Sequence, residues 1–244
     1  MLTRSNPLTL KLGPTNCYLL KARDGYLLID TSYPSCFEEF LEDLKVANID
    51  SSNIKYLLLT HHHDDHAGFA GKLKERTNCR LITHKGSVKG LSAGRIVSLG
   101  RPVNRRVQVT MALYNGVKRR DFSFQPVNIN DDDTLLTGDD ENTPKQIGID
   151  GKIICTPGHT SDSISLILAN GDAYASDACM NFLAFCGIHY RPIFIEDLDE
   201  VFRSWRKIVD NSAKTIYPAH GEPFTVERLI HFGRKYAPNI FPTS

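Results

Sequence analysis

The stretch "THHHDDHAG", residues 60–68, sets four histidines and two aspartates directly after the apolar run Tyr56-Leu57-Leu58-Leu59. A short unbroken apolar run of this kind reads as a buried strand. Ala67 and Gly68 lead on into a helix-like segment. Side chains two apart in an extended segment point the same way. His61 and His63 therefore converge on one point, and His62 between them faces elsewhere. A turn into helix after His63 sends Asp65 and His66 toward a neighbouring point. One strand-to-helix junction can thus offer ligands to two adjacent ions. Neutral imidazole with carboxylate suits zinc, and also manganese, iron or cobalt.

A metal needs about four ligands, so others must come from far along the chain. Three residues stand out by their setting. His159 lies in "TPGHTSDS" after the strand-like "KIICT", Asp177 in "YASDA" after "DAYA", and His220 in "YPAHGEP" after "TIY". Each is a ligand-type residue at the end of an apolar strand, beside Gly, Pro or Ala. Strands of this kind aim side chains rigidly, and small neighbours leave room for ions.

The rest of the chain alternates strand and helix patterns. "CYLLKARDGYLLIDT" (17–31) reads as a hairpin turning at Asp24-Gly25, a favoured turn pair. "SCFEEFLEDLKVANI" (35–49) has helical spacing, with Ser35 as its expected cap. Residues 67–78 read as a helix and 79–84 as a strand. Strand character returns at "VNI", "TLL", "QIGID", "KIICT", "SISLILA" and "DAYAS". A strong amphipathic helix follows at 196–211, then the strand "KTIYPAH" and a last helix at "TVERLIHFGRKYA". Strands come in two batches, each with helices, which predicts an α/β protein of two sheets with helices outside. Residues 87–125 break the pattern and read as a lid-like excursion from one domain spanning 1–244. Arg101, Arg105, Arg106, Lys118, Arg119 and Arg120 would give such a lid a positive face. Met111, Leu113, Tyr114, Phe122 and Phe124 would give it an apolar one, suited to an amphiphilic substrate or to a homodimer contact.

Composition bounds the partners. The net charge of +1, from 29 basic and 28 acidic side chains, argues for neither nucleic acid nor a membrane surface. The six cysteines are scattered without a CxxC pair, the usage of reduced thiols. With no signal-peptide pattern and no apolar run of membrane-spanning length, the expectation is a cytoplasmic protein acting on a small molecule.

The ordered set His61-x-His63-x-Asp65-His66, then His159, Asp177 and His220, resembles the signature of the metallo-β-lactamase superfamily. The resemblance covers nearly the whole chain except 87–125. It implies a four-layer αββα sandwich with the site at one edge of the two sheets. It further implies that His61, His63 and His159 hold one divalent ion, that Asp65, His66 and His220 hold a second, and that Asp177 bridges both. The ions implied are zinc first, with Mn, Fe or Co as alternatives. A hydroxide shared by ions roughly 3.5–4 Å apart would attack a small carbonyl ester such as a lactone or thioester. Asp65 and Asp177 are then the candidate catalytic carboxylates. His62 and Asp64 are spacers. Asp30 is read either as a hydrogen-bond partner of a ligand or as a turn cap. His189, Tyr190 and Arg191, in "GIHYRP", are substrate-contact candidates. Cys155, Cys179 and Cys186 are read as packing residues.

Within the family, Asp162 and Ser163 depart from the extra histidine of glyoxalase-II-type thioesterases. No exosite arm of a tRNA-processing nuclease is evident. Lactonases share the full ligand set, although some carry a tyrosine soon after the bridging aspartate, where this chain has Ala178-Cys179-Met180. The competing readings are a phosphodiesterase of the same fold and a diiron redox or oxygen-handling protein.

Overall fold

The computed structural model describes residues 7–117 and 122–242. The first sheet begins as an antiparallel meander, β1 (Leu8–Leu12), β2 (Thr15–Ala22) and β3 (Gly25–Ile29). Ala22 pairs with Gly25, so the two turn residues are Arg23 and Asp24, one position earlier than the pattern suggested. Helix α1 (Phe37–Val46) returns the chain to β4 (Ile54–Leu59), parallel to β3. Ser35 does not cap α1. It sits in a preceding 3-10 turn, and Cys36 holds the cap position.

After β4 come the short helix α2 (Asp64–Ala67), then α3 (Ala70–Thr77) and β5 (Arg80–His84), which is parallel to β4. The excursion follows. It forms α4 (Val88–Ala93), the two-residue strand β6 (Arg101–Pro102) and α5 (Arg105–Val117). Its Phe124 turns inward, buried in the core beside Leu91 rather than on a lid face. Strand β7 (Thr134–Leu136) closes the six-stranded sheet in the order β1-β2-β3-β4-β5-β7.

"VNI" and "QIGID" are not strands. Val127 is buried against the outer core, and Gln146 ends the short helix α6 (Asn142–Gln146). Asp140 accepts from the backbone N–H of Thr143 and starts that turn, a local hydrogen bond that competes with extended pairing.

The second sheet runs β13-β12-β10-β9-β8. Its members are β8 (Gly151–Cys155), β9 (Ile164–Leu168), β10 (Asp172–Ser176), β12 (Thr215–Pro218) and β13 (Phe224–Thr225). Between β10 and β12 lie β11 (Phe194–Ile195), which pairs with β6, and helix α7 (Leu198–Asp210). Helix α8 (Glu227–Tyr236) ends the fold.

Alternation along the strands sorts the core into layers. On β4, Tyr56 and Leu58 face the second sheet, and Leu57 and Leu59 face α1 and α3. On β10, Tyr174 faces the first sheet, and Ala173 and Ala175 face α7. The result is helix, sheet, sheet, helix. Each fully buried leucine or isoleucine side chain of these layers contributes about 1.5–3 kcal/mol. Asp197 caps α7 by accepting from Asp199 and Glu200 N–H at 2.9 and 3.1 Å. The helix buries Val201, Phe202, Trp205 and Ile208. Trp205 Nε1 then donates to the Ala178 carbonyl at 2.8 Å, pinning the loop after β10. Among the described residues no helix is long and apolar enough to cross a membrane.

Candidate metal centre

Five loops converge at the C-terminal ends of the strands. Asp30 follows β3, His61 and His63 follow β4, His159 follows β8, Asp177 follows β10 and His220 follows β12. Two backbone hydrogen bonds lock the sheets together here: Asn16 N to the Ala219 carbonyl at 2.7 Å, and Ile164 N to the Thr60 carbonyl at 3.0 Å. A register shift between Tyr174 and Ser176 on β10, with Ser176 at φ +45°, re-aims the chain just before Asp177.

All seven ligand-type residues come together. Three triplets have ligand atoms within 4.8 Å of one another: His61-His63-His159, His61-His66-Asp177 and Asp65-His66-His220. Asp177 faces both sides. Its Oδ2 lies 3.5 Å from His159 Nε2, and its Oδ1 lies 3.6 Å from His66 Nε2 and 3.5 Å from His220 Nε2. Asp65 Oδ2 lies 3.4 Å from His220 Nε2.

The second nitrogen of each ring decides what the first can do. Carbonyl and carboxylate oxygens only accept, so a ring nitrogen bonded to one carries the proton. His63 Nε2 donates to the Ser98 carbonyl at 2.9 Å, His159 Nδ1 to Phe194 at 2.8 Å, and His220 Nδ1 to Pro14 at 2.9 Å. His66 Nδ1 donates to Asp30 Oδ2 at 2.9 Å. His61 Nδ1 lies 3.1 Å from Thr60 Oγ1, which itself donates to Asp30 Oδ2 at 2.8 Å. In the neutral ring every inward nitrogen therefore presents a lone pair. His63 Nδ1 and His159 Nε2 face each other at 3.0 Å, an arrangement of two lone pairs that calls for a cation between them. His61 Nε2, His66 Nε2 and Asp177 Oδ1 are buried without a hydrogen-bond partner, which is rare unless something else satisfies them. This donor set fits divalent metal.

Asp30, open between two readings in the sequence, is the hub of this orientation. Held at φ +57°, it accepts from Thr60 N at 2.8 Å, from Thr60 Oγ1, from Ser176 Oγ at 3.0 Å and from His66. Ligand orientation through such outer partners is a general feature of metal sites.

The electrostatics split the cluster. Burial, with the neighbouring imidazoles His66 and His63, pushes His61 well below its ordinary value. Burial and His159 push His63 down to about 3. Burial would lower His220 as well, but the Asp177 and Asp65 carboxylates outweigh it and lift the ring to about 8. Asp177, Asp30 and Asp65 likewise outweigh burial at His66, which stands well above its ordinary value. Burial would raise the Asp65 carboxyl, but His66 and His220 hold it well below the usual carboxylate range.

His62 points away from the cluster, as its place between two ligands implied. Its Nδ1 lies 2.8 Å from Asp162 Oδ2, which also accepts from Ser87 Oγ at 2.6 Å. Its Nε2 accepts from Val97 N at 3.2 Å. A Cβ on Gly90 would sit 2.4 Å from the His62 ring, so only glycine lets α4 lie this close. Adjacent histidines thus clasp adjacent backbone groups of the excursion, His62 at Val97 and His63 at Ser98. The Asp162 partnership was not legible in sequence, because the two residues lie 100 positions apart.

Tyr33 is a further residue that the sequence patterns did not single out. Its hydroxyl lies 3.4 Å from Asp65 Oδ2 and lines the cavity of about 190 Å³ above the cluster. Met111, Tyr114 and Phe122 line it too. Lys118, Arg119 and Arg120 lie outside the described residues, and Arg101, Arg105 and Arg106 are exposed and absent from the lining. His189, Tyr190 and Arg191, expected against substrate, are not in that lining either. His189 stacks on Phe232 with ring centroids 4.9 Å apart and hydrogen-bonds Tyr236. Tyr190 packs on Phe224, and Arg191 lies over the Tyr236 ring. Their neighbours Phe182, Leu183, Ile193 and Phe194 line the cavity instead. All six cysteines are free, and none joins the described triplets.

Comparison with known proteins agrees with this geometry. A Beta-lactamase-like protein 2 homolog of Caenorhabditis elegans is 27% identical over 220 residues, covering 88% of this chain and 59% of that protein. The chain therefore spans less than two thirds of that relative's length. The Flavo-diiron protein FprA2 of Clostridium acetobutylicum is 40% identical over 60 residues, 25% of this chain and 14% of that one. An archaeal metallo-beta-lactamase superfamily protein from Sulfolobus tokodaii shares the fold, with a TM-score of 0.64 at 15% identity over 94% of this chain and 85% of that one. The profile of the metallo-beta-lactamase superfamily matches residues 10–220, most of the chain and every residue of the cluster, and the protein belongs to that superfamily.

Proposed function

We propose that the protein is a metal-dependent hydrolase that binds two divalent ions, zinc foremost, and cleaves a small carbonyl ester such as a lactone or thioester. The observation that carries this reading is the set of inward lone pairs and orphaned buried atoms, with Asp177 presenting one oxygen to each side. Two ions in such a site supply a nucleophile active at neutral pH and polarise the electrophile. The chain's own residues do the rest. His61, His63 and His159 hold one side, and Asp65, His66 and His220 the other. Asp65 lines the cavity as a carboxylate, placed to accept a proton released by attacking water. Tyr33, beside Asp65 Oδ2, is placed to orient that carboxylate or a bound carbonyl.

The test is metal analysis joined to a panel of lactones, thioesters, β-lactams and phosphodiesters on metal-replete protein. About two ions per chain and turnover of a carbonyl ester are expected, both lost in His61→Ala. Fewer than about one ion per chain would sink the two-ion reading. The segment resembling a flavo-diiron protein favours a second reading, an iron pair in oxygen or redox chemistry. An iron absorption band in protein as isolated, without hydrolysis of any ester, would choose it.

A further inference from the structure

We propose that the group attached to the scissile carbonyl is an uncharged apolar arm, seated in the groove between the excursion and the segment before α7. This rests on the hydrolase reading above and specifies its substrate class. The ligand side chains form the groove's floor. Its walls are apolar: Ile96 and Leu99 from the loop after α4, Met111 from α5, and Phe182, Ile193 and Phe194 from the opposite side. Among the described residues, no lysine or arginine lines it. The acidic groups that do, Asp64, Asp65 and Asp177, lie in the metal motifs at its floor. A tail carrying charge would leave water for an apolar wall without a partner, which is costly. An apolar tail would instead cover wall and rim that now meet water, including Phe182 at 40% exposure and Tyr114 at 46%.

The groove is preformed. Val107, Met180, Cys186 and Ile188 pack α5 onto the opposite wall. The β6–β11 pairing joins the walls a second time. The loop bearing Ile96 and Leu99 is held by His62 at Val97 and by His63 at Ser98. The wall is therefore tethered to His63 of the first triplet and to its neighbour His62, and the arm's seat keeps a fixed relation to the carbonyl. Hydrolysis forms the bond from the water oxygen to the carbonyl carbon and breaks that carbon's bond to the leaving oxygen or sulfur. One water proton goes to the leaving group, so an ester yields acid and alcohol, a thioester acid and thiol, and a lactone the open hydroxy acid.

Three hydroxamates with one metal-binding head test this by calorimetry on zinc-loaded protein: octanohydroxamic acid and its analogues ending in a carboxylate or an ammonium. The neutral tail should bind at least about tenfold more tightly than either charged one. Phe182→Lys, at a half-exposed rim position that tolerates charge, should narrow the gap to the carboxylate tail. Leu99→Asn should weaken the neutral tail by a second route. A charged tail binding as tightly as the neutral one would overturn the proposal, and a carboxylate tail binding best would point to a basic wall instead. The matching esters separate the two readings. Turnover indifferent to tail charge sinks the apolar arm and keeps the hydrolase. Tail selectivity in binding with no ester cleaved sinks the hydrolase reading and, with it, the substrate assignment.

Discussion

The triplets His61-His63-His159 and Asp65-His66-His220 sit side by side at one sheet edge, yet they handle protons in opposite ways. In the first, all three ligand atoms are imidazole nitrogens, and burial holds His61 and His63 well below their ordinary values. In the second, carboxylates outweigh burial and keep His66 and His220 ready to carry protons. His61 and His63 are thus poised for a metal without competition from protons, whereas a metal entering the second triplet must displace them. Asp177 faces both, one oxygen to each side.

Removing that shared group should have the largest effect. Asp177→Ala should abolish ester turnover and cut metal content, with the loss concentrated at the second triplet, where Asp177 Oδ1 lies near both His66 and His220, against His159 alone in the first. Metal analysis and circular dichroism read this out. Full metal content with a native spectrum would break the bridging assignment. A smaller effect is expected at Asp30, which touches His66 directly and His61 only through Thr60. Asp30→Asn should lower metal affinity or activity by about 10–100-fold, and more at the second triplet than at the first. Equal weakening of both would mean that the Thr60 relay orients as well as a direct contact does.

The contrast reaches the walls. The first triplet is tied to the excursion through His63 and Ser98, and the second to Pro14 and Tyr33 on the other side. Asp162→Ala leaves the His62 Nδ1–H and the Ser87 hydroxyl without their buried acceptor, so it should cost about 1–3 kcal/mol in thermal unfolding. It should also raise KM more than it lowers kcat, with metal content unchanged, while Asp162→Asn restores part of both. Loss of stability with an unchanged KM would reduce the pair to packing.

How far these regions were legible in sequence follows from how locally each is encoded. His61, His63, Asp65 and His66 lie within one turn of chain, where the two-residue period of a strand places them without knowledge of the fold. His159, Asp177 and His220 were legible through their strand-end settings, and their convergence needed the two-sheet topology. The layers followed from alternation on β4 and β10. The walls did not. Residues 88–117 carry no dominant period, and the apolar lining is assembled from side chains of separate elements. His189 and Tyr190 were expected near substrate from chain position, but both take positive φ and turn onto α8, leaving Phe182 and Phe194 at the cavity.

The smallest expected effect separates the triplets most directly. His220 titrates near 8 in the metal-free fold, above its unfolded value. Its proton therefore stabilises the metal-free protein fully below the unfolded value, and that contribution fades as pH rises through about 8. Metal needs the ring neutral, so affinity at the second triplet should rise with pH, by at least about tenfold between roughly pH 7 and 9 from His220 alone. His61 and His63, held down, have no proton to lose in that window, and the affinity they confer at the first triplet should stay flat. Calorimetric titration in buffers of different ionisation enthalpy counts the protons released at each binding event. Release confined to the weaker event supports the division of labour. Equal release from both events, or a pH-independent second event, would show that the carboxylates do not set the two triplets apart.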